Sequence, residues 1–120
     1  MLGRKMKEHQ VNVWMINTGW SGGPYGIGSR IKLGYTRAMI TAALQGDLEG
    51  VSYEPHPVFG VLMPVSCPGV PTEILNPRST WADTAAYDAK SKDLAGQFVR
   101  NFEKYASGVT EEILKAAPKL

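Results

Sequence analysis

The side chains able to do chemistry are few and unevenly placed. Between Glu8 and Asp47 the chain carries no carboxylate, yet Arg30, Lys32 and Arg37 all fall in that interval. They sit at or just after a glycine-rich stretch, "NTGWSGGPYGIGSR", which runs from Asn17 to Arg30 and contains five glycines. Glycine permits positive φ and close approach of main chain to a ligand, and the N–H groups of such a loop can form an anion-binding concavity. Cations beside it, leading into a helix start, favour a negatively charged ligand. The competing reading is a plain connector, which is what most loops are.

Two familiar phosphate loops are excluded. After Gly28 the chain has Ser29 and Arg30 where a Walker A loop needs lysine followed by a hydroxyl residue. In "GIGSRI", Ile31 stands where the dinucleotide fingerprint needs its third glycine. The loop therefore suits part of a nucleotide, its base or sugar, without evident equipment for phosphates or metal. His9 and His56 lack partners at metal-ligand spacing. Cys67, followed by Pro68, has no base nearby in sequence and reads as a packed thiol. No residue is assigned a catalytic or metal-binding role. Trp14, Trp20 and Trp81 suit packing, and Trp20 at the loop mouth also suits a pocket wall.

These groups need elements to position them. The first ten residues, basic with Leu2 and Met6 four apart, suit a helix with one apolar edge. The run 11–16, "VNVWMI", reads as a strand buried on both faces. After the glycine loop, "YTRAMITAALQG" reads as a helix from Tyr35 with Gly46 as its C-cap. Strand, loop and helix in that order are how α/β proteins commonly form a crevice at a strand's carboxyl end. "VSYEPHPVFGVLMPVSC" predicts short or edge strands because Pro55, Pro57 and Pro64 interrupt it. "PGVPTEILNPRSTW" predicts an extended loop, its three prolines excluding a long helix. Beyond Asp83, an N-cap, the residues Tyr87, Leu94, Phe98, Phe102 and Tyr105 predict a long amphipathic helix ending before Gly108, with a short helix from Thr110.

At 120 residues there is room for one domain at most, and 43% hydrophobic with 20% charged residues is ordinary for a folding chain. Thirteen basic against eleven acidic residues is too balanced for the broad footprint of a nucleic-acid binder. One cysteine excludes an internal disulfide and fits a reducing, cytoplasmic compartment. No apolar run reaches the ~20 residues a membrane helix needs, and "MLGRKMKEHQ" lacks a signal peptide's apolar centre.

"NTGWSGGPYGIGSRIKLGYTRAMITAAL" closely resembles the segment of ATP-dependent phosphoenolpyruvate carboxykinases that closes over the nucleotide base. The resemblance continues through "HPVFGVLMPVSCPGVPTEILNPRSTW" and "LAGQFVRNFEKY", so it covers essentially the whole chain. It implies an α/β fold class, residues 1–120 being a C-terminal fragment of that enzyme's ATP-binding domain with no complete second domain. It further implies a lyase of gluconeogenesis that decarboxylates oxaloacetate and phosphorylates the product with ATP to give phosphoenolpyruvate, CO2 and ADP. Phosphoryl transfer needs a phosphate cradle and divalent metals. By resemblance these, with magnesium, manganese and oxaloacetate, belong to a missing N-terminal part, and the fragment alone is inactive. What carries over is adenosine binding by Arg30 and Ile31 and an adenine contact by Thr36. A guanidinium can stack on a base or bond ribose, Ile31 offers an apolar wall and Thr36 a hydroxyl. Without the resemblance Thr36 reads as a helix-start residue satisfying backbone groups. Arg37 reads as contact or surface ion pair, and Lys32 as solvated. The alternative is a non-catalytic fragment serving as a binding or assembly module.

Overall fold

A helix needs something to stop it, and the first one stops unusually. In the computed structural model, which describes residues 1–120, α1 (Leu2–His9) ends on Gln10 at φ 49°, whose N–H donates to the Met6 carbonyl at 2.8 Å. Gln10 is the one non-glycine residue with positive φ. The next run, 11–16, corrects the sequence reading of a buried strand. It lies in no helix or sheet, Val11, Val13, Trp14 and Met15 are exposed, and none of its main-chain groups bonds another main-chain group. An apolar run becomes a strand only where a neighbour accepts its ladder, and these 120 residues supply none.

The glycine stretch then closes on itself. β1 (Trp20–Ser21) pairs antiparallel with β2 (Ser29–Arg30), Trp20 opposite Arg30 and Ser21 opposite Ser29. α2 (Leu33–Gln45) follows, ending on Gly46 at φ 78°, a left-handed C-cap that glycine takes without steric cost. It starts two residues before Tyr35 because the Lys32 carbonyl already accepts from the Tyr35 and Thr36 amides, at 2.9 and 3.2 Å.

β3 (Tyr53–Pro55) and β4 (Leu62–Pro64) form a second two-stranded antiparallel sheet, as the prolines allow only at short, edge-like strands. The region read as an extended loop instead winds into two single turns, α3 (Thr72–Leu75) and α4 (Pro77–Thr80). Proline is acceptable at a helix's first position, and Asn76 caps α4 by accepting the Arg78 N–H at 3.1 Å. α5 (Thr84–Phe102) starts on Asp83, whose carboxylate accepts the Ala86 N–H at 3.1 Å. It runs into a 3-10 turn over Glu103–Gly108, and α6 (Glu111–Lys115) is capped by Thr110. The molecule thus mixes helices with small antiparallel sheets, consistent with an α/β fragment, and since run 11–16 forms no strand the crevice read from strand, loop and helix has no strand end before the loop.

One apolar cluster, Ala42, Leu48, Cys67 and Val70 with Met39, Ile74 and Leu75 against it, joins α2 to α3. A second contact region ties α5 to the turn after β3 through His56, Phe59, Tyr87 and Phe98. Only 8 of 120 residues are buried. The accessible surface is 9042 Å², where a compact monomer of 13.1 kDa exposes about 6,400 Å². The radius of gyration is 15.9 Å, against about 14 Å for a compact chain of this length. Large apolar side chains share in it: Phe98, Trp20, Leu62 and Val13 are all roughly half exposed or more. Such a surface calls for a cover.

Candidate functional site

The loop between β1 and β2 is closed by contacts that only glycine tolerates. Gly22, Gly23 and Gly26 have φ of 86°, 142° and 93°, in the region glycine alone enters freely. The Pro24 carbonyl accepts from the Ile27 and Gly28 amides at 3.0 and 2.9 Å. A side chain at Gly28 would meet the Gly23 carbonyl, and would come within 2.7 Å of the Ser21 oxygen and 2.8 Å of the Gly23 nitrogen. The loop is folded back on itself and held.

Its base is fastened by Asn17. The Asn17 side-chain oxygen accepts the Gly19 N–H at 2.9 Å and its amide nitrogen donates to the Trp20 carbonyl at 2.9 Å. The Gly19 carbonyl in turn accepts the Ile31 N–H at 2.8 Å. This puts two of the sequence-derived candidates, Arg30 and Ile31, on one short framework. Arg30 ends β2 opposite Trp20, exposed, with its guanidinium in no hydrogen bond or ion pair. Trp20 stacks edge-on against Tyr25, ring centres 5.5 Å apart. Ile31 is half-buried and lines an apolar groove of about 770 Å³ with Trp14, Met39, Leu48 and Tyr53. Arg30 and Thr36 lie outside that groove's wall.

Thr36 sits in the first turn of α2 and is only 8% exposed. The N-cap of the helix is Lys32, which makes no side-chain capping bond, and Thr36 follows it within the first turn. No residue of the chain hydrogen-bonds the Thr36 hydroxyl, and it is not left sealed without a partner. Lys32 is exposed and its ammonium lies 5.6 Å above the Tyr35 ring. Arg37 is exposed without an ion pair.

The remaining titratable groups are structural. His56 is buried; its Nδ1 accepts the Val58 and Phe59 amides at 3.1 and 3.2 Å, which leaves the proton on Nε2, donated to the Tyr87 hydroxyl at 2.7 Å. Burial pushes its pKa down from 6.5. Burial pushes the Cys67 thiol up, with the Asp47 carboxylate adding to it, which is the reverse of an activated nucleophile. No three His, Cys, Asp or Glu side chains cluster to hold a metal ion, and no helix is long and apolar enough to cross a membrane. Sequence reasoning passed over Asn17, although an asparagine two residues before glycine is a turn signal. It also passed over the His56–Tyr87 pair, separated by 31 positions with no local pattern to announce it.

Comparison with known proteins bears on this geometry. The phosphoenolpyruvate carboxykinase family profile matches residues 1–73. A phosphoenolpyruvate carboxykinase (ATP) of Christiangramia forsetii is 58% identical over 118 residues, 98% of this chain and 22% of that protein. One of Flavobacterium johnsoniae is likewise 58% identical over 118 residues, with the same coverage. A phosphoenolpyruvate carboxykinase (ATP) 2 of Moorella thermoacetica is 55% identical, again over 22% of its length. The chain spans about a fifth of the length of these curated relatives.

Proposed function

The chain belongs to the phosphoenolpyruvate carboxykinase (ATP) family, and from that premise we propose that it is the C-terminal, adenosine-closing portion of such an enzyme's ATP-binding domain. The carrying observation is that Arg30 and the Thr36 hydroxyl both lack a partner in the chain and lie either side in sequence of Ile31, whose amide is fixed to Gly19. Arg30 packs on or bonds the ribose and base, Ile31 supplies an apolar wall, and Thr36 offers its hydroxyl to adenine. A guanidinium, an apolar wall and a hydroxyl make a site for a nucleoside rather than for a triphosphate tail.

The complete enzyme turns oxaloacetate and ATP into phosphoenolpyruvate, CO2 and ADP, a step of gluconeogenesis in the cytoplasm. The phosphate cradle, the oxaloacetate site and the ligands for magnesium and manganese belong, by resemblance to the family, to the remaining polypeptide. When bound, those metals neutralise charge on the transferring phosphoryl group. The remaining polypeptide is also the partner that covers the groove beside 11–16, whose unpaired main chain suits a neighbouring strand. The chain alone turns nothing over. The exposed apolar surface also suits the second reading, an assembly module without nucleotide.

Photolabelling separates the two. With 8-azido-ATP bound to an intact carboxykinase carrying these 120 residues, the label is expected on the peptide spanning 19–36 and to be competed by ATP. Label confined to other peptides would overturn the adenosine reading.

A further inference from the structure

We propose that Asn17 is a positioning residue for nucleotide binding: it fixes Gly19 and Trp20, and through them the places of Ile31 and Arg30. The inference rests on the adenosine reading above and adds a residue to it that touches no ligand. Gly19 is gripped from both ends, its N–H by the Asn17 carboxamide oxygen at 2.9 Å and its carbonyl by the Ile31 N–H at 2.8 Å. Trp20, next along, is held at its carbonyl by the Asn17 amide nitrogen at 2.9 Å and sits opposite Arg30 in the β1/β2 pair. One side chain therefore uses its donor and its acceptor to set two adjacent residues, Gly19, which bonds Ile31, and Trp20, which pairs with Arg30.

The clamp matters because the pair it holds is short. β1 and β2 have two residues each, and so small a ribbon has little stability of its own. The preceding run, 11–16, contributes no main-chain bond to anchor it. The glycines of the loop lower the cost of other conformations, so register depends on what fixes the ends. Asn17 is the side chain that does so on the β1 side.

The test uses an intact carboxykinase carrying these residues, with Asn17→Ala, Asn17→Asp and Arg30→Ala measured beside the parent. Asn17→Ala is expected to raise the dissociation constant for ATP about ten-fold, the loss of one to two hydrogen bonds' worth of preorganisation, with KM for oxaloacetate unchanged. Asn17→Asp keeps the acceptor for Gly19 and is expected to recover part of the ATP affinity. A merely structural residue would instead lower the active fraction, moving kcat while leaving ATP affinity and both KM values alone. Normal ATP affinity in both Asn17 variants while Arg30→Ala is weakened overturns this proposal and spares the adenosine reading. Normal affinity in Arg30→Ala overturns the reading on which it rests, and a loss in Asn17→Ala alone would then show that Asn17 does not act through Arg30. If Asn17→Ala fails to fold, Asn17→Asp decides: ATP affinity and oxaloacetate KM both at parent values count against the proposal.

Discussion

His56 Nε2 and the Tyr87 hydroxyl lie 2.7 Å apart, joining the turn after β3 to the first turn of α5. The neutral ring alone satisfies this geometry, because Nδ1 must stay an acceptor for two amides. Protonation would place a donor against those N–H groups. With the folded-state pKa below 6.5, the stability this contact contributes is fully present above pH 6.5. It is lost as pH falls from there through the folded-state value, since the unfolded chain then binds the extra proton.

An NMR titration of the imidazole checks this, with a midpoint below 6.5 and an Nε2–H tautomer expected. A midpoint at or above 6.5 would contradict the buried neutral ring. Tyr87→Phe removes the partner of one buried hydrogen bond and is expected to cost about 1 kcal/mol above pH 6.5.

Cys67 is expected to react slowly with a thiol reagent at neutral pH. It is buried in the cluster of Ala42, Leu48 and Val70, and its pKa is raised, so little thiolate is present to attack. Labelling as fast as a free thiol would show that this cluster opens readily.

Gly28→Ala is expected to open the loop. The new methyl would sit 2.7 Å from the Ser21 oxygen and 2.8 Å from the Gly23 nitrogen, backbone atoms that cannot swing aside, and overpacking of this kind costs about 1–3 kcal/mol. Gly50→Ala, with open space around it, is the control. Faster proteolysis within 22–28 in the first variant alone is the expected result, and equal rates would mean the loop was not held closed.

The isolated chain is expected to bind a hydrophobic dye and to associate as its concentration rises. Its accessible surface of 9042 Å² exceeds that of a compact monomer by about 2,600 Å², an area in the range of large, permanent interfaces. Sedimentation and dye titration measure both effects. A single monomeric species with a sharp melt and little dye binding would mean that the chain is a complete small domain.

What could be read from the sequence was whatever is encoded locally. Asp83, Gly46 and Thr110 announce helix ends because a cap acts on its own neighbours. The prolines at 55 and 64 limited β3 and β4 to short strands for the same reason. The run 11–16 misled because periodicity does not say whether a strand has a partner, and no main-chain group in this chain pairs with it. The two turns α3 and α4 were hidden by proline, which excludes a long helix but fits a first turn. The loop's closure depends on contacts between Gly28, Gly23 and Ser21 across the hairpin, which composition alone does not reveal.

The adenosine reading itself predicts an ordering among three variants of an intact enzyme carrying this segment. Arg30 is exposed with a free guanidinium, so Arg30→Ala is expected to weaken ATP binding by about 1–3 kcal/mol, the worth of a cation–π or charged hydrogen-bond contact. Thr36→Val keeps the shape of a nearly buried side chain and removes one hydroxyl, so it is expected to cost less and chiefly to blunt discrimination between ATP and GTP. Lys32 already lies over the Tyr35 ring, so Lys32→Ala is expected to do little. Calorimetric titration of each variant with both nucleotides measures the order. If Arg30→Ala and Thr36→Val leave both affinities unchanged while Lys32→Ala abolishes binding, the charge that matters is two residues further on. The hairpin would then serve to join elements rather than to hold adenosine.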